Sequence, residues 1–116
     1  MMMKNPITTH VLDTSRGRPA SGLEITLEKH AGAEWHTVGR GKTNQDGRLA
    51  DLVPADSVLK SGTYRLTFMT AEYFNSSKIS SFYPQVSVTF IFDETEGHYH
   101  IPLLLSPFGY STYRGS

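Results

Sequence analysis

The chain has 116 residues, eleven basic against eleven acidic side chains, and no cysteine. This length predicts one domain, 1–116, burying roughly 65% of the surface its unfolded chain would expose, so its core needs no staples. The missing cysteines exclude disulfides, a thiol nucleophile and a thiolate metal site; even charge disfavours nucleic acid, and no apolar run approaches the ~20 residues of a membrane span.

Alternation of apolar and polar residues dominates the chain and predicts half-buried strands. Thr8–Thr14 is the first, with Val11 opposed in direction to His10 and Leu12. Residues 16–22 are a loop by their Gly and Pro content. Leu23–Lys29 alternates cleanly, with Leu23, Ile25 and Leu27 on one face and Glu24, Thr26 and Glu28 on the other. After a turn at 31–33, Trp35–Thr43 is a third strand, and 44–47 is an Asp-Gly turn. Arg48–Lys60 is less regular; Pro54 and Asp56 suggest a connection carrying a short edge strand. Thr63–Thr70 alternates again, with Tyr64, Leu66 and Phe68 on one face. Ala71–Ser77 is the one predicted helix, with Thr70 as its cap. Gln85–Phe92 is a strand, Asp93–Gly97 its acidic hairpin turn, His98–Leu105 the next strand, and Tyr110–Tyr113 a short last one. Seven to eight short strands at regular spacing predict an all-β two-sheet sandwich with one short helix near 71–77.

The candidates for chemistry are the five histidines, His10, His30, His36, His98 and His100, and Arg48. His98 and His100 are two apart on a strand, so their side chains leave the same face, ~7 Å apart. Such a pair can act on one small ligand, or hold a metal given further ligands, and His10 could supply one. A surface His-x-His is more often structural. His30 and His36 flank a turn and read as solvent-facing, and an isolated arginine after Asp46-Gly47 reads as a surface residue. Composition and periodicity stop at a β-sandwich with a candidate histidine pair.

Four motifs carry the reading further. They are Thr8-Thr9-His10-Val11-Leu12-Asp13, the run from Gly41 to Gly47-Arg48, the run from His98-Tyr99-His100 to Ser106-Pro107, and Tyr113-Arg114-Gly115-Ser116. In this order and at these distances the chain resembles the transthyretin-like 5-hydroxyisourate hydrolases along nearly its whole length. The resemblance implies a transthyretin-like (prealbumin-like) fold and hydrolysis of 5-hydroxyisourate, a cyclic amide of urate breakdown. It implies that His10, Arg48 and His100 are catalytic. His98, Tyr113, Arg114, Gly115 and Ser116 would line the substrate pocket. By resemblance, hormone-carrying transthyretins lack this set and continue past the tetrapeptide.

The reading assigns no cofactor and no metal. The small-molecule substrate would bind in a homotetramer, a dimer of dimers, with its sites at the dimer–dimer interface. An independent hint is Ile101-Pro102-Leu103-Leu104-Leu105, apolar on both strand faces, with a similar run from Val86 to Phe92. Met1–Thr9 lacks an apolar signal region, which predicts a cytoplasmic protein. Three alternatives stay open: a transthyretin-like carrier of a small aromatic ligand, a metal-binding sandwich built on His98 and His100, and an interaction domain without chemistry.

Overall fold

The computed structural model describes residues 5–54 and 56–115. Its strands, in chain order, are β1 (Ile7–Asp13), β2 (Arg18–Pro19), β3 (Glu24–Ala31), β4 (Glu34–Lys42) and β5 (Arg48–Leu49). There follow β6 (Gly62–Phe68), the helix α1 (Thr70–Asn75), β7 (Val86–Phe92), β8 (Tyr99–Ser106) and β9 (Gly109–Thr112). One sheet runs β2-β1-β8-β9, with β5 also on β1; the other runs β4-β3-β6-β7. The expected all-β two-sheet sandwich is what forms. β2 and β5 are two-residue bridges beside seven longer strands.

Period-2 patterning builds the core. Ile7 and Val11 of β1 and Ile101, Leu103 and Leu105 of β8 point inward from the first sheet. Ile25, Leu27, Tyr64, Leu66 and Phe68 meet them from the second, and Phe74 of α1 closes one side. Each such side chain gains about 1.5–3 kcal/mol on leaving water. Thr9 shares the inner face of β1 and is satisfied there, its hydroxyl donating to the Ile101 carbonyl at 2.6 Å. The opposite face of β1 carries Thr8, His10 and Leu12, each half-buried.

β1 and β8 run parallel although they sit at opposite ends of the chain. Their register places Thr8 beside His100 and His10 beside Pro102, which puts both motifs on one outer face. Pro102 has no N–H to give the ladder. β8 pairs with β9 from Leu103–Thr112 onward, and after the proline the chain rejoins it at His100–Gly115 in the same register.

Four local expectations are corrected. The helix spans Thr70–Asn75, and Thr70 is not its cap: Met69 holds that position without a side-chain hydrogen bond. Thr70 is instead buried, because packing of Thr70 and Phe74 outweighs capping. Asp93–Gly97 is not a hairpin turn. It carries the chain from β7 in one sheet to β8 in the other, through a 3-10 turn at Glu94–Glu96. β7 is not apolar on both faces: Val86, Val88, Phe90 and Phe92 alternate with exposed Ser87, Thr89 and Ile91. No helix among the described residues is long and apolar enough to cross a membrane.

Candidate active site

A turn and two strands deliver the polar side chains to the outer face of the first sheet. The turn before β5 is set by Asn44, whose side-chain oxygen accepts from the N–H groups of Asp46 and Arg48 at 2.9 and 3.0 Å. Gly47 follows with φ +74, and a Cβ there would lie 2.4 Å from the Val11 carbonyl oxygen. Only glycine fits that close approach. Gly47 in turn accepts from Val11 N–H at 2.8 Å, and the turn delivers Arg48 opposite His10 on β1.

Beside Arg48 lies a recess of about 300 Å³, lined by Thr8, Thr9, Arg48, Leu49, Ala50, His98 and His100. The Thr8 hydroxyl sits between the two imidazoles, 3.1 Å from His98 Nε2 and 2.8 Å from His100 Nδ1. His98 and His100 are half-buried, whereas Arg48 is exposed. Burial, first, and then the positive charge of Arg48 and the neighbouring His98 and His10 push His100 below the usual imidazole range. A ring held below pKa ~6.5 is neutral near pH 7 and can accept a proton.

The tail approaches from the other side. Gly115 N–H donates to the His100 carbonyl at 2.7 Å. A Cβ on Gly115 would stand 2.8 Å from His100 Cδ2, so the absence of a side chain is what lets the tail lie on the ring.

The structure thus gathers Arg48, His98, His100 and Gly115, with His10 on the same face, across from Arg48. It does not bring Tyr113 and Arg114 into the recess. They line a separate groove of about 460 Å³ between β7 and the end of β9. There the Arg114 guanidinium lies 4.3 Å from the centre of the Tyr99 ring and 3.6 Å from a Glu96 carboxylate oxygen. Ser116 lies outside the described residues. His30 and His36 are exposed, as expected, and His30 packs on Trp35. Thr8 is the side chain that sequence reasoning left without a role; its place two residues before His10 on an alternating strand was the available signal. Among the described residues no group of three or more histidines and carboxylates is arranged to hold a metal ion.

The family model for the HIUase/Transthyretin family matches residues 7–115. The chain belongs to this family. A 5-hydroxyisourate hydrolase from Salmonella typhimurium is 45% identical over 112 residues, covering 97% of this chain and 82% of the relative. The structure of Klebsiella pneumoniae 5-hydroxyisourate hydrolase superposes with a TM-score of 0.83 at 34% identity, over 95% of this chain and 98% of that one. Transthyretin from Sparus aurata superposes with a TM-score of 0.90 at 28% identity, over 97% of each chain. Within the family the backbone therefore does not separate hydrolases from transthyretin; the side chains of the outer face must.

Proposed function

We propose that this protein hydrolyses 5-hydroxyisourate to 2-oxo-4-hydroxy-4-carboxy-5-ureidoimidazoline in urate breakdown. The observation that carries the reading is the recess where Arg48 meets the imidazoles of His98 and His100, in a chain 45% identical to a 5-hydroxyisourate hydrolase.

Opening a cyclic amide requires an activated water, a stabilised oxyanion and a proton for the leaving nitrogen. His100 is the base: it is kept neutral by burial and by Arg48, and it lines the recess. It takes a proton as the water oxygen bonds to the amide carbon. Arg48 stays charged and offers a planar fork of donors to the substrate oxygens and the developing oxyanion. His10, across from Arg48, orients the water. The carbon–nitrogen bond then breaks, and the proton held by His100 is returned to the leaving nitrogen. Arg114, held between Glu96 and the Tyr99 ring, anchors the tail that lays Gly115 on His100, and Tyr113 belongs to the same anchor. By the family resemblance Ser116 would belong to the same pocket.

The assembled form is read as a homotetramer, a dimer of dimers, with the recess at the dimer–dimer interface. Its support is the outer face around the recess, where half-buried Leu12 and Leu104 add apolar surface that a partner would cover. Arg48, exposed in a single chain, would be enclosed by the same contact.

The test is to generate 5-hydroxyisourate with urate oxidase and follow its ultraviolet decay against the spontaneous rate. Acceleration in proportion to protein is expected. His100→Asn and His10→Asn should each lower kcat by about 10²–10⁴-fold while the protein still melts cooperatively. The alternative, a carrier of a small aromatic ligand, draws on the match to transthyretin. A folded protein that gives no acceleration would overturn the hydrolase reading and favour the carrier.

A further inference from the structure

We propose that Thr8 is a positioning residue whose hydroxyl relays a proton between His100 and His98 during the reaction. The inference rests on the hydrolase reading above, with His100 as base. A threonine hydroxyl has one proton to donate and lone pairs to accept with. Thr8 Oγ1 lies within hydrogen-bond distance of both His100 Nδ1 and His98 Nε2, so it can donate to only one of them while accepting from the other.

The two arrangements differ in what His100 presents. If Thr8 donates to His98 Nε2, it accepts from His100 Nδ1–H, and the lone pair of His100 is at Nε2. If it donates to His100 Nδ1, the proton of His100 is at Nε2. Nε2 makes no hydrogen bond to a described residue, so it is the nitrogen left for water or substrate. The first arrangement is a base, and the second an acid. Thr8 converts one into the other without leaving a charge on His100.

The step balances. As the water O–H bond breaks, a proton bonds to His100 Nε2. The Nδ1–H bond of His100 breaks and its proton passes to Thr8 Oγ1, whose own proton passes to His98 Nε2. His98 then carries the positive charge and His100 is neutral with its proton at Nε2. When the amide carbon–nitrogen bond breaks, His100 gives that proton to the leaving nitrogen. It regains a proton at Nδ1 from Thr8, which regains its own from His98. The net transfer is one proton from water to the leaving nitrogen.

The surroundings favour this route over a charged His100. Arg48 from β5, His10 from β1 and His98 all face it, and the Arg48 guanidinium is a permanent cation. Moving the charge on to His98 relieves the centre on which all three converge. Thr8 itself is fixed by the parallel pairing of β1 and β8, which sets it beside His100.

Thr8→Val keeps the shape and removes the hydroxyl, and Thr8→Ser restores it. Thr8→Val should lower kcat about 100-fold with KM changed less than about threefold, and Thr8→Ser should recover turnover to within about fivefold of the original. The acid limb of the kcat/KM profile should move to lower pH in Thr8→Val, because protonated His100 loses the oxygen that accepts from Nδ1–H. Imidazole ¹⁵N shifts of the ligand-free protein should place the His100 proton at Nδ1, and this preference should be lost in Thr8→Val. Turnover within threefold of the original in folded Thr8→Val, an unmoved His100 tautomer, or a Thr8→Ser variant as slow as Thr8→Val would each overturn the relay. A folded original protein with no turnover would overturn the hydrolase reading instead, and the ¹⁵N spectrum would still report on the hydroxyl bridge.

Discussion

His100 is held from two directions, by the Thr8 hydroxyl at one edge of its ring and by the Gly115 backbone at another. The second hold is testable by adding one methyl group. In Gly115→Ala the new Cβ would meet His100 Cδ2 at 2.8 Å and both the His100 carbonyl oxygen and Pro102 Cγ at 3.2 Å. The ring must turn away from Thr8 or the tail must lift. A misplacement of about 1 Å at a reacting group costs on the order of 10²-fold in rate. Gly115→Ala should therefore lower kcat/KM by about 10–100-fold. Stability should change by less than about 1.5 kcal/mol, since one terminal hydrogen bond is at stake. Steady-state kinetics with a thermal melt separate the two effects, and unchanged turnover would show that the tail does not set the ring. Some of this was legible in the sequence. The spacing of His98 and His100 and the alternation around His10 placed these side chains on strand faces. The bond from Thr8 to His100 was not legible, because it crosses 92 positions and depends on a parallel register that no local pattern encodes.

Among the elements, α1 was mislocated by its ends because its anchors are tertiary. Tyr73 reaches from the helix to the end of β1, donating its hydroxyl to Asp13 Oδ2 at 2.7 Å. Asp13 also accepts from the Ser15 hydroxyl at 2.6 Å and pairs with Arg16 at 3.4 Å. Burial pushes the Asp13 carboxyl up, but the hydrogen bonds from Ser15, Tyr73 and Arg16 together outweigh it and hold the group below its usual range. Burial, and then the bond to Asp13, push the Tyr73 phenol up to about 12. A depressed carboxyl contributes stability above its unfolded pKa of ~3.9 and loses it as pH falls through the folded value. Tyr73→Phe should cost about 1.5–3 kcal/mol at pH 7, as expected for a hydrogen bond to a charged group. It should also move the acid unfolding midpoint to higher pH. Urea titrations at pH 7 and near pH 3 would show the difference shrinking as Asp13 protonates; a loss below about 0.5 kcal/mol at pH 7 would contradict the clamp.

For the molecule as a whole, both sheets end in open strands on the same side. β9 ends the first sheet, β7 ends the second, and the groove of about 460 Å³ lies between them. Unpaired edges with apolar side chains invite pairing with another chain. Ile91 of β7 is 77% exposed and Tyr113, just past β9, is 58% exposed. The apolar runs of the sequence suggested a face for a partner to cover, and one of the two runs is not apolar on both faces. β8 is apolar on both faces, whereas on β7 the outward apolar residue is Ile91 alone. In the proposed dimer of dimers, the edges would supply one contact and the face around the recess a second. Sedimentation velocity at micromolar concentration should give a single species of four chains; a monomer there would contradict the assembly. Ile91→Arg places a charge on the β7 edge without touching the recess. It should reduce the assembly to smaller species that remain folded by circular dichroism. If the site is completed by neighbouring chains, turnover should fall at least tenfold in step with the lost tetramer. A folded Ile91→Arg monomer with full turnover would mean instead that one chain holds every group the reaction requires.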